Sequence, residues 1–406
     1  MATPKLRFKE FDGYLEKNNL INLTLWASGG TPSKKNKDYW MGDIPLISGA
    51  SMHTRKICES EFNITDLGLK KGSKLAPKNS ILILVRGSML FKKIPMGMAL
   101  KDVAFNQDVK SIITKEDLNE YYFFQWLLSQ ENIIQNKVTS TGIGAGKLDT
   151  SELQNLEIYY PAKEEQTKIA TFLSAVDTKI DELIQKHELL VEYKKGMMQQ
   201  LFSQKVRFKA DGGSDFKDWK NVKLGNILLN YKLGGNYKNS EKPTMHPLIK
   251  MGNIGRGSIH LDKIEYIIQG ESIDSDDIVK LDDLFFNTRN TLELVGKVAI
   301  WRNEIPVAYY NSNLMRMKFE NNRFMNYLFN ETNSLKKLKA IASGTTSVAA
   351  IYTKDLLKVD LSIPSNIEQT KIANFLTAID QKINNVAEQI DHAKTWKKGL
   401  LQQMFV

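Results

Sequence analysis

One feature constrains this chain more than any other: it contains the same long segment twice. Residues 161–202 and 364–405 align without a gap at an offset of 203 residues, with 19 identities in 42 positions. The regions upstream echo one another more faintly. Gly29-Gly30 is followed by Ile-Pro-Leu-Ile at 44–47, and Gly234-Gly235 by His-Pro-Leu-Ile at 246–249. Arg86 matches Arg289 at the same offset, and LRFKEFDG at 6–13 resembles VRFKADGG at 206–213. A repeat of this kind decides the architecture before any local reading. Each half is a variable globular region followed by a similar long helix.

In the duplicated segment the apolar residues keep heptad spacing. Leu173, Val176, Ile180, Leu183, His187, Leu190, Lys194, Met197 and Leu201 fall on one stripe. Leu376, Ile379, Ile383, Val386, Ile390, Ala393, Lys397, Leu400 and Met404 form the same stripe in the second copy. A pattern held for about four heptads predicts a coiled coil, each helix spanning about 60 Å. A narrow apolar stripe needs a partner, and the other copy supplies one within the same chain. An antiparallel pairing would relate the globular regions by a pseudo-two-fold axis, although the stripe alone leaves the direction open. Lys194 and Lys397 share one stripe position, where a lysine either fixes register or snorkels to the rim. Gly196 and Gly399 lie where a helix interior disfavours glycine, by about 1 kcal/mol relative to alanine. That predicts a close helix approach or a helix end there.

The formal charge of +10 and the pI of about 9.2 favour a polyanionic partner, usually nucleic acid. Cys58 is the one cysteine, which excludes an internal disulfide and a cysteine-based zinc site and fits a cytoplasmic location. The N-terminal stretch MATPKLRFKEFDGYLEK lacks the apolar core of a signal peptide. No apolar run is long enough to span a bilayer.

The regions 1–155 and 209–360 read as mixed α/β. Strand-like runs lie at 80–86, 297–302 and 314–319, and helix-like runs at 116–130 and 322–342. Candidate DNA-contacting positions come from loops that recur in both halves. The stretch 29–40 offers Lys34, Lys35, Lys37 and Tyr39, and its counterpart 234–243 offers Asn236, Tyr237 and Lys238. Arg86, Ser88 and Lys92 follow one strand, and Arg289 and Asn290 follow another. Small polar loops add Thr141 in the first half and Thr345 and Thr346 in the second, with Arg256 as a further basic position. Lysines meet phosphates, while Arg and Asn read base edges.

Catalytic motifs are missing. The stretch GIGAGKL at 142–148 fails the phosphate-loop pattern, because Thr141 replaces the first glycine and Leu148 follows the lysine. No dinucleotide-binding glycine fingerprint follows a strand, and the NPPY-type tetrapeptide of adenine methyltransferases is absent. His53, His187, His246, His260 and His392 have no metal-ligand spacing.

The duplicated motif resembles the conserved regions of the specificity subunit of type I restriction–modification systems. It reads Pro161, Glu165, Gln166, Ile169, Ala170, Phe172, Leu173, Asp177 and Ile180. The same residue types recur at Pro364, Glu368, Gln369, Ile372, Ala373, Phe375, Leu376, Asp380 and Ile383. Tyr159-Tyr160, where that family often has aliphatic residues, is a departure.

The resemblance implies an α+β protein in which two mixed α/β target-recognition domains alternate with two long helices. The helices pair as an intramolecular antiparallel coiled coil. Recognition domains would span 1–155 and 209–360, and conserved helical regions 156–208 and 361–406. Each recognition domain would read half of a bipartite site in double-stranded DNA, and the helices would set the spacer. Two modification subunits would dock on the helices, and restriction (translocase) subunits would complete the assembly. The chain itself would be non-catalytic and hold no cofactor. S-adenosylmethionine, ATP and Mg would be bound by the partner subunits, whose adenine-N6 methylation proceeds by base flipping. No membrane partner is expected. Two other readings are a coiled-coil interaction scaffold indifferent to DNA sequence and a self-contained methyltransferase or nuclease.

Overall fold

The computed structural model describes residues 3–142 and 144–406. Met1 and Ala2, which open the stretch read above for a signal peptide, and Ile143, inside the glycine-rich stretch 142–148, lie outside the described residues. The chain divides into two compact units, residues 1–185 with 387–406, and residues 186–386. Each long helix therefore starts in one unit and ends in the other, so the compact units cut across the four segments expected from sequence.

The first unit is built on a five-stranded sheet. Its strands run in the order Thr24–Ser28, Val109–Thr114, Ile81–Leu84, Met96–Ala99 and Lys56–Ile57. Ile81, Leu82, Ile83 and Leu84 are all buried, which explains why this strand reads as an unbroken apolar run. A second sheet orders Asn63–Ile64, Trp40–Ile47, Val103–Phe105 and Lys74–Ala76. The helix expected over 116–130 begins at Glu120, because the Asn119 side chain caps it by accepting from the backbone N–H groups of Tyr121 and Tyr122.

The second unit repeats this plan with a four-stranded sheet, Asn230–Leu233, Leu314–Lys318, Leu284–Asn287 and Val298–Ile300. The helix expected as one piece over 322–342 is two, Asn322–Asn330 and Thr332–Ala340. Glu331 sits between them in extended conformation and caps the second, its carboxylate accepting from the N–H groups of Asn333 and Ser334. Outside each sheet an antiparallel strand pair leads into the long helix. Glu16–Asn19 pairs with Glu157–Tyr160, and Lys220–Lys223 with Asp360–Ile363. The departure at Tyr159-Tyr160 is absorbed here: the Tyr160 hydroxyl donates to Glu16 at 3.0 Å, and Lys17 lies over the Tyr159 ring.

The two long helices are Lys163–Phe202 and Asn366–Met404. In the first unit, Leu173, Val176 and Ile180 from the start of one share a core with Leu400, Met404 and Phe405 from the end of the other. In the second unit, Met197, Leu201 and Phe202 share a core with Ile372, Leu376 and Ile379. Start meets end in both, so the pairing is antiparallel. Every residue of both stripes is buried or half-buried. A fully buried Leu, Ile or Val contributes roughly 1.5–3 kcal/mol, so a helix pair with this seam needs no help from intrinsic propensity.

One polar device locks the seam, and it occurs once in each unit. Lys397 donates to Asp177 at 2.5 Å, and Lys194 pairs with Asp380 at 2.6 Å. Asp177 and Asp380 are 203 residues apart, as are Lys194 and Lys397, so the two bridges are the same bridge made twice. Lys397 does not snorkel: its side chain is 5% exposed, and burial pushes its ammonium below the usual lysine range while Asp177 opposes the shift. The glycines inside the seam behave differently from expectation. Both helices run on past Gly196 and Gly399, and an added Cβ at Gly196 would meet nothing within 4 Å. Neither a close approach nor a helix end accounts for them.

A second device roots each helix. Arg7 makes a bidentate pair with buried Glu165, both bonds 2.7 Å. Arg207 does the same to Glu368 at 3.1 and 2.9 Å. The RF dipeptides of the weakly similar 6–13 and 206–213 stretches thus answer the Glu of each conserved motif. Gln166 and Gln369 turn their amide N–H groups onto the carbonyls of Pro161 and Pro364, at 2.9 and 3.1 Å.

Candidate nucleic-acid interface

The two arginines at offset 203 occupy matching strands. In the first unit, Arg86–Gly87 pairs with Ala145–Lys147, placing Arg86 opposite Lys147, and that strand pairs with Thr139–Thr141. In the second, Arg289–Asn290 pairs with Ala349–Ala350, which pairs with Ser343–Gly344. What sequence reads as polar loops are therefore hairpins laid against the arginine strands, with Arg86 in the row of Lys147 and Thr139 and Arg289 in the row of Ala350 and Ser343, while Thr141, Thr345 and Thr346 lie further toward the hairpin tips. Both arginines are exposed. Neither forms an ion pair among the described residues. Ser88 and Lys92 are exposed on and after the short turn that follows Arg86. The Thr141 hydroxyl donates to the Ala145 carbonyl at 2.8 Å, and the Asn290 side chain accepts from the Thr291 N–H at 2.8 Å. Both of these side chains are thus partly spent on their own loops. Arg256 is exposed and donates to the Glu293 carbonyl at 3.1 Å.

The lysine loops leave the sheets where two backbones touch. An added Cβ at Gly29 would lie 2.0 Å from the Phe105 carbonyl oxygen, and one at Gly234 would lie 2.2 Å from that of Tyr310. Only glycine fits at either site. Beyond Gly29-Gly30, Lys34, Lys35 and Lys37 are exposed and Tyr39 is half-buried. The loop is braced by the Trp40 indole N–H donating to the Ser33 carbonyl at 3.1 Å and by the Thr65 hydroxyl donating to the Asp38 carbonyl at 2.7 Å.

In the second unit Asn236 and Lys238 are exposed, but Tyr237 is not available to a ligand. It is buried with Leu248, Ile267 and Tyr309, and its hydroxyl donates to Asp277 at 2.6 Å. Burial pushes the phenol up to about 12. Tyr237 is a support of the loop. In sequence, an aromatic between Asn and Lys looks the same whether it points outward or inward.

Two cations escaped that reading. Lys110 donates to the Ser28 hydroxyl at 2.5 Å, immediately before Gly29. Its pKa is lowered by burial first, then by Arg86 and Lys74. Lys74, Lys110 and Arg86 therefore form a cluster of like charge that no carboxylate neutralises among the described residues. Their signal in sequence is faint, because Lys74 and Lys110 lie within strands rather than in basic loops. The second unit differs: Lys232 is held by Asp274 and Asp277 at 2.7 and 2.9 Å, and Arg316 by Asp283 at 3.3 Å.

Among the described residues no group of His, Cys, Asp and Glu is arranged to hold a metal ion. No described helix is long and apolar enough to cross a membrane. The chemistry on display is donor chemistry, with guanidinium, ammonium, amide and hydroxyl groups presented on braced loops.

Comparisons with known proteins agree with this repeated plan. A family model described as "Type I restriction modification DNA specificity domain" matches residues 19–193 and again 216–393. The Escherichia coli type I restriction enzyme EcoR124I/EcoR124II specificity subunit is 34% identical over 175 residues, 43% of each chain. The chain thus aligns with less than half the length of that relative. The putative type I restriction enzyme MjaX specificity subunit of Methanocaldococcus jannaschii is 25% identical over 398 residues, covering 92% of this chain and 89% of its own. The solved S subunit of the type I restriction-modification system from M. genitalium has the same fold, with a TM-score of 0.60 at 17% identity, covering 100% and 99% of the two chains. With both halves of the chain, and most of each long helix, falling under one family description, the chain belongs to the type I restriction modification DNA specificity domain family.

Proposed function

We propose that this chain is the sequence-reading specificity subunit of a type I restriction–modification complex. Each unit reads one half of a bipartite site in double-stranded DNA, and the paired helices set the unread spacer. The observation that carries the reading is the recurrence, in two units of otherwise divergent sequence, of one constellation: an unpaired arginine beside a polar hairpin, and a lysine or asparagine loop leaving the sheet at an obligatory glycine. A scaffold indifferent to DNA has no use for that constellation twice.

On this reading Lys34, Lys35, Lys37, Lys74, Lys110 and Lys238 take phosphates, which position the duplex. Arg86, Arg289 and Asn236 reach base edges, where bidentate arginine–guanine and asparagine–adenine pairs discriminate. Two modification subunits dock on the conserved helices, and restriction subunits join the complete assembly. Methylation of adenine N6 and DNA cleavage are the work of those partners, which bind S-adenosylmethionine, ATP and Mg in the cytoplasm. This chain contributes the address.

The test is a domain exchange. Residues 1–155 are replaced by the corresponding region of another family member, and methylated adenines are mapped genome-wide. One half-site changes and the other stays. If both change, or neither does, the modular assignment is wrong.

A further inference from the structure

In the first unit a groove of about 890 Å³ runs between the recognition region and the parts of the two long helices that belong to that unit. Ligand sites commonly occupy about 300–1,000 Å³. The floor is apolar: Met98, Phe124, Leu128, Ile180 and Leu401 are buried, and Leu100, 42% exposed, adds to it. The helix stretches that wall it, 177–184 and 394–402, are each about 10–12 Å long. A hollow of that length suits a small molecule better than a folded partner.

Charged groups surround that floor. Five cations, Arg55, Lys56, Lys394, Lys397 and Lys398, stand against three carboxylates, Asp177, Asp181 and Glu131. The carboxylates are already engaged. Asp177 holds Lys397, Asp181 holds Lys56, and Glu131 accepts from the Ile94 N–H at 3.2 Å. Arg55, Lys394 and Lys398 are exposed and form no ion pair among the described residues. Lys397 is pushed down by burial, held up by Asp177 and lowered again by the charge on Arg55, so the surplus positive potential reaches the inner wall of the groove. A nucleic-acid backbone would answer the charges but has no apolar part to cover the floor.

The second unit fills the corresponding place from its own chain. Met98 pairs with Ile81 and Ile300 with Leu284, and Ile81 and Leu284 are 203 residues apart, so Leu100 corresponds to Arg302. The Arg302 guanidinium reaches across to Asp380 at 3.0 Å, whereas Leu100 has no such group to send to Asp177. The groove also stands apart from the candidate DNA surface of its own unit. It adjoins Met98, opposite Ile81, while Arg86 lies five residues further along that strand, about 16 Å away. We propose that the groove of the first unit is a binding site for an anionic amphiphile, a small molecule whose carboxylate or phosphate head pairs with Arg55, Lys394 and Lys398 and whose apolar chain covers the floor. An arginine fork suits such a head, which it can hold by two parallel hydrogen bonds. Bound there, the molecule bridges the recognition region to the helix pair. The site depends on neither DNA reading nor the docking of other subunits.

The experiment is isothermal titration of the full chain, alone and assembled with modification subunits, with decanoate and with decyl phosphate, each below its micelle concentration. Decanol and decyltrimethylammonium serve as the neutral and cationic controls. One equivalent of decanoate or of decyl phosphate binds per chain, about ten-fold or more tightly than decanol, and the tighter of the two identifies the head group. Decyltrimethylammonium does not bind. Leu100→Arg, which supplies the filling used by the second unit, and Leu100→Trp each weaken binding about ten-fold or more. Arg55→Gln weakens binding of the anions and leaves decanol unchanged. Circular dichroism and melting temperature show which variants are folded, and should one Leu100 variant fail to fold, the other decides. The proposal is overturned by an absence of saturable binding, by two equivalents per chain, by decanol or the cation binding as tightly as the anions, or by folded Leu100 variants that bind as the wild type does. Displacement of decanoate by the modification subunits, with Leu100→Arg losing their assembly, would assign the groove to a protein contact and overturn it as well.

Discussion

The bridge made twice is the sharpest place to test the energetics of the helix seam, because its two copies differ in what remains when the lysine goes. Lys397→Met removes an ammonium that is 5% exposed and leaves Asp177, 22% exposed. That carboxylate keeps two neutral donors, the Tyr121 hydroxyl at 2.5 Å and the Gln125 amide at 2.9 Å. A fully orphaned buried charge costs about 3–5 kcal/mol, so two surviving donors and some water reduce the expected loss to about 1–3 kcal/mol. Lys194→Met leaves Asp380 with a cation, Arg302 at 3.0 Å, as well as the Tyr327 hydroxyl at 2.7 Å. Its expected cost is below about 1 kcal/mol. Asp177→Asn is the worst of the three, at about 3–5 kcal/mol, because it removes the carboxylate that pairs directly with a buried ammonium and leaves only the more distant Asp181. Since burial already holds Lys397 below its ordinary value of 10.5, the folded state of Asp177→Asn binds fewer protons than the unfolded chain over the range below 10.5. Its stability therefore rises as pH is raised toward that value. Urea unfolding, with hydrogen exchange followed in peptides spanning 170–185 and 390–404, reads the first unit directly. If Lys194→Met costs as much as Lys397→Met, or Asp177→Asn costs less than either, the account of the seam is wrong.

Four further outcomes are expected. Arg207→Ala leaves Glu368, whose side chain is fully buried, without its guanidinium and destabilises the second unit by about 3–5 kcal/mol in urea unfolding; a loss under about 1 kcal/mol contradicts the rooting role. Gly196→Ala, with open space at its Cβ, stabilises by about 0.5–1 kcal/mol, and a fall in melting temperature would show an unrecognised contact. Gly29→Ala forces the loop off the Phe105 carbonyl and lowers duplex affinity about ten-fold or more, with an unchanged far-ultraviolet spectrum; unchanged affinity separates the lysine loop from DNA. Tyr237 and Tyr310, both held up to about 12 by burial, keep their protons in the folded state after unfolded tyrosines ionise near 10. Their contribution is therefore complete below pH 10 and lost as pH climbs from 10 to 12; a stability flat over that range would contradict it.

The helical half of the molecule was legible in sequence because its physics is periodic. An apolar stripe repeated every three and four residues has one interpretation, and all the positions from Leu173 to Leu201 and from Leu376 to Met404 went where the heptads put them. Antiparallel direction was not legible from the stripe. It is carried by Asp177 and Asp380, whose partners are 220 and 186 residues away, and no local pattern announces an ion pair at that range. The recognition regions were legible as strands and loops but not as faces. Arg86 and Arg289 could be found by their common offset, whereas Tyr237 could not be told from a reader, and Lys110 looked like any lysine within a strand. The polar loops at 139–147 and 343–350 became hairpins because their partner is a remote two-residue strand bearing an arginine. Sequence separation hid that pairing.

The manner in which the two units diverge bears on what each part is for. At the seam, chemistry is kept even when the residues supplying it move. Asp177 takes its phenol from Tyr121, while Asp380 takes one from Tyr327, the counterpart of Phe124, about one helical turn further along the matching helix. Compensated change of this sort preserves a geometry. In the recognition regions nothing compensates. Lys110 stands free of carboxylates where its counterpart by offset from Gly29-Gly30 and Phe105 is buried Met315, and the in-strand cations of the second unit are neutralised by Asp274, Asp277 and Asp283. A helix pair under constraint joined to heads free to differ suits a protein that must keep a fixed spacing between two contacts while changing what each contact recognises. It also implies unequal heads: with more unpaired positive charge at its candidate surface, the first unit should account for the larger share of the salt dependence of DNA binding.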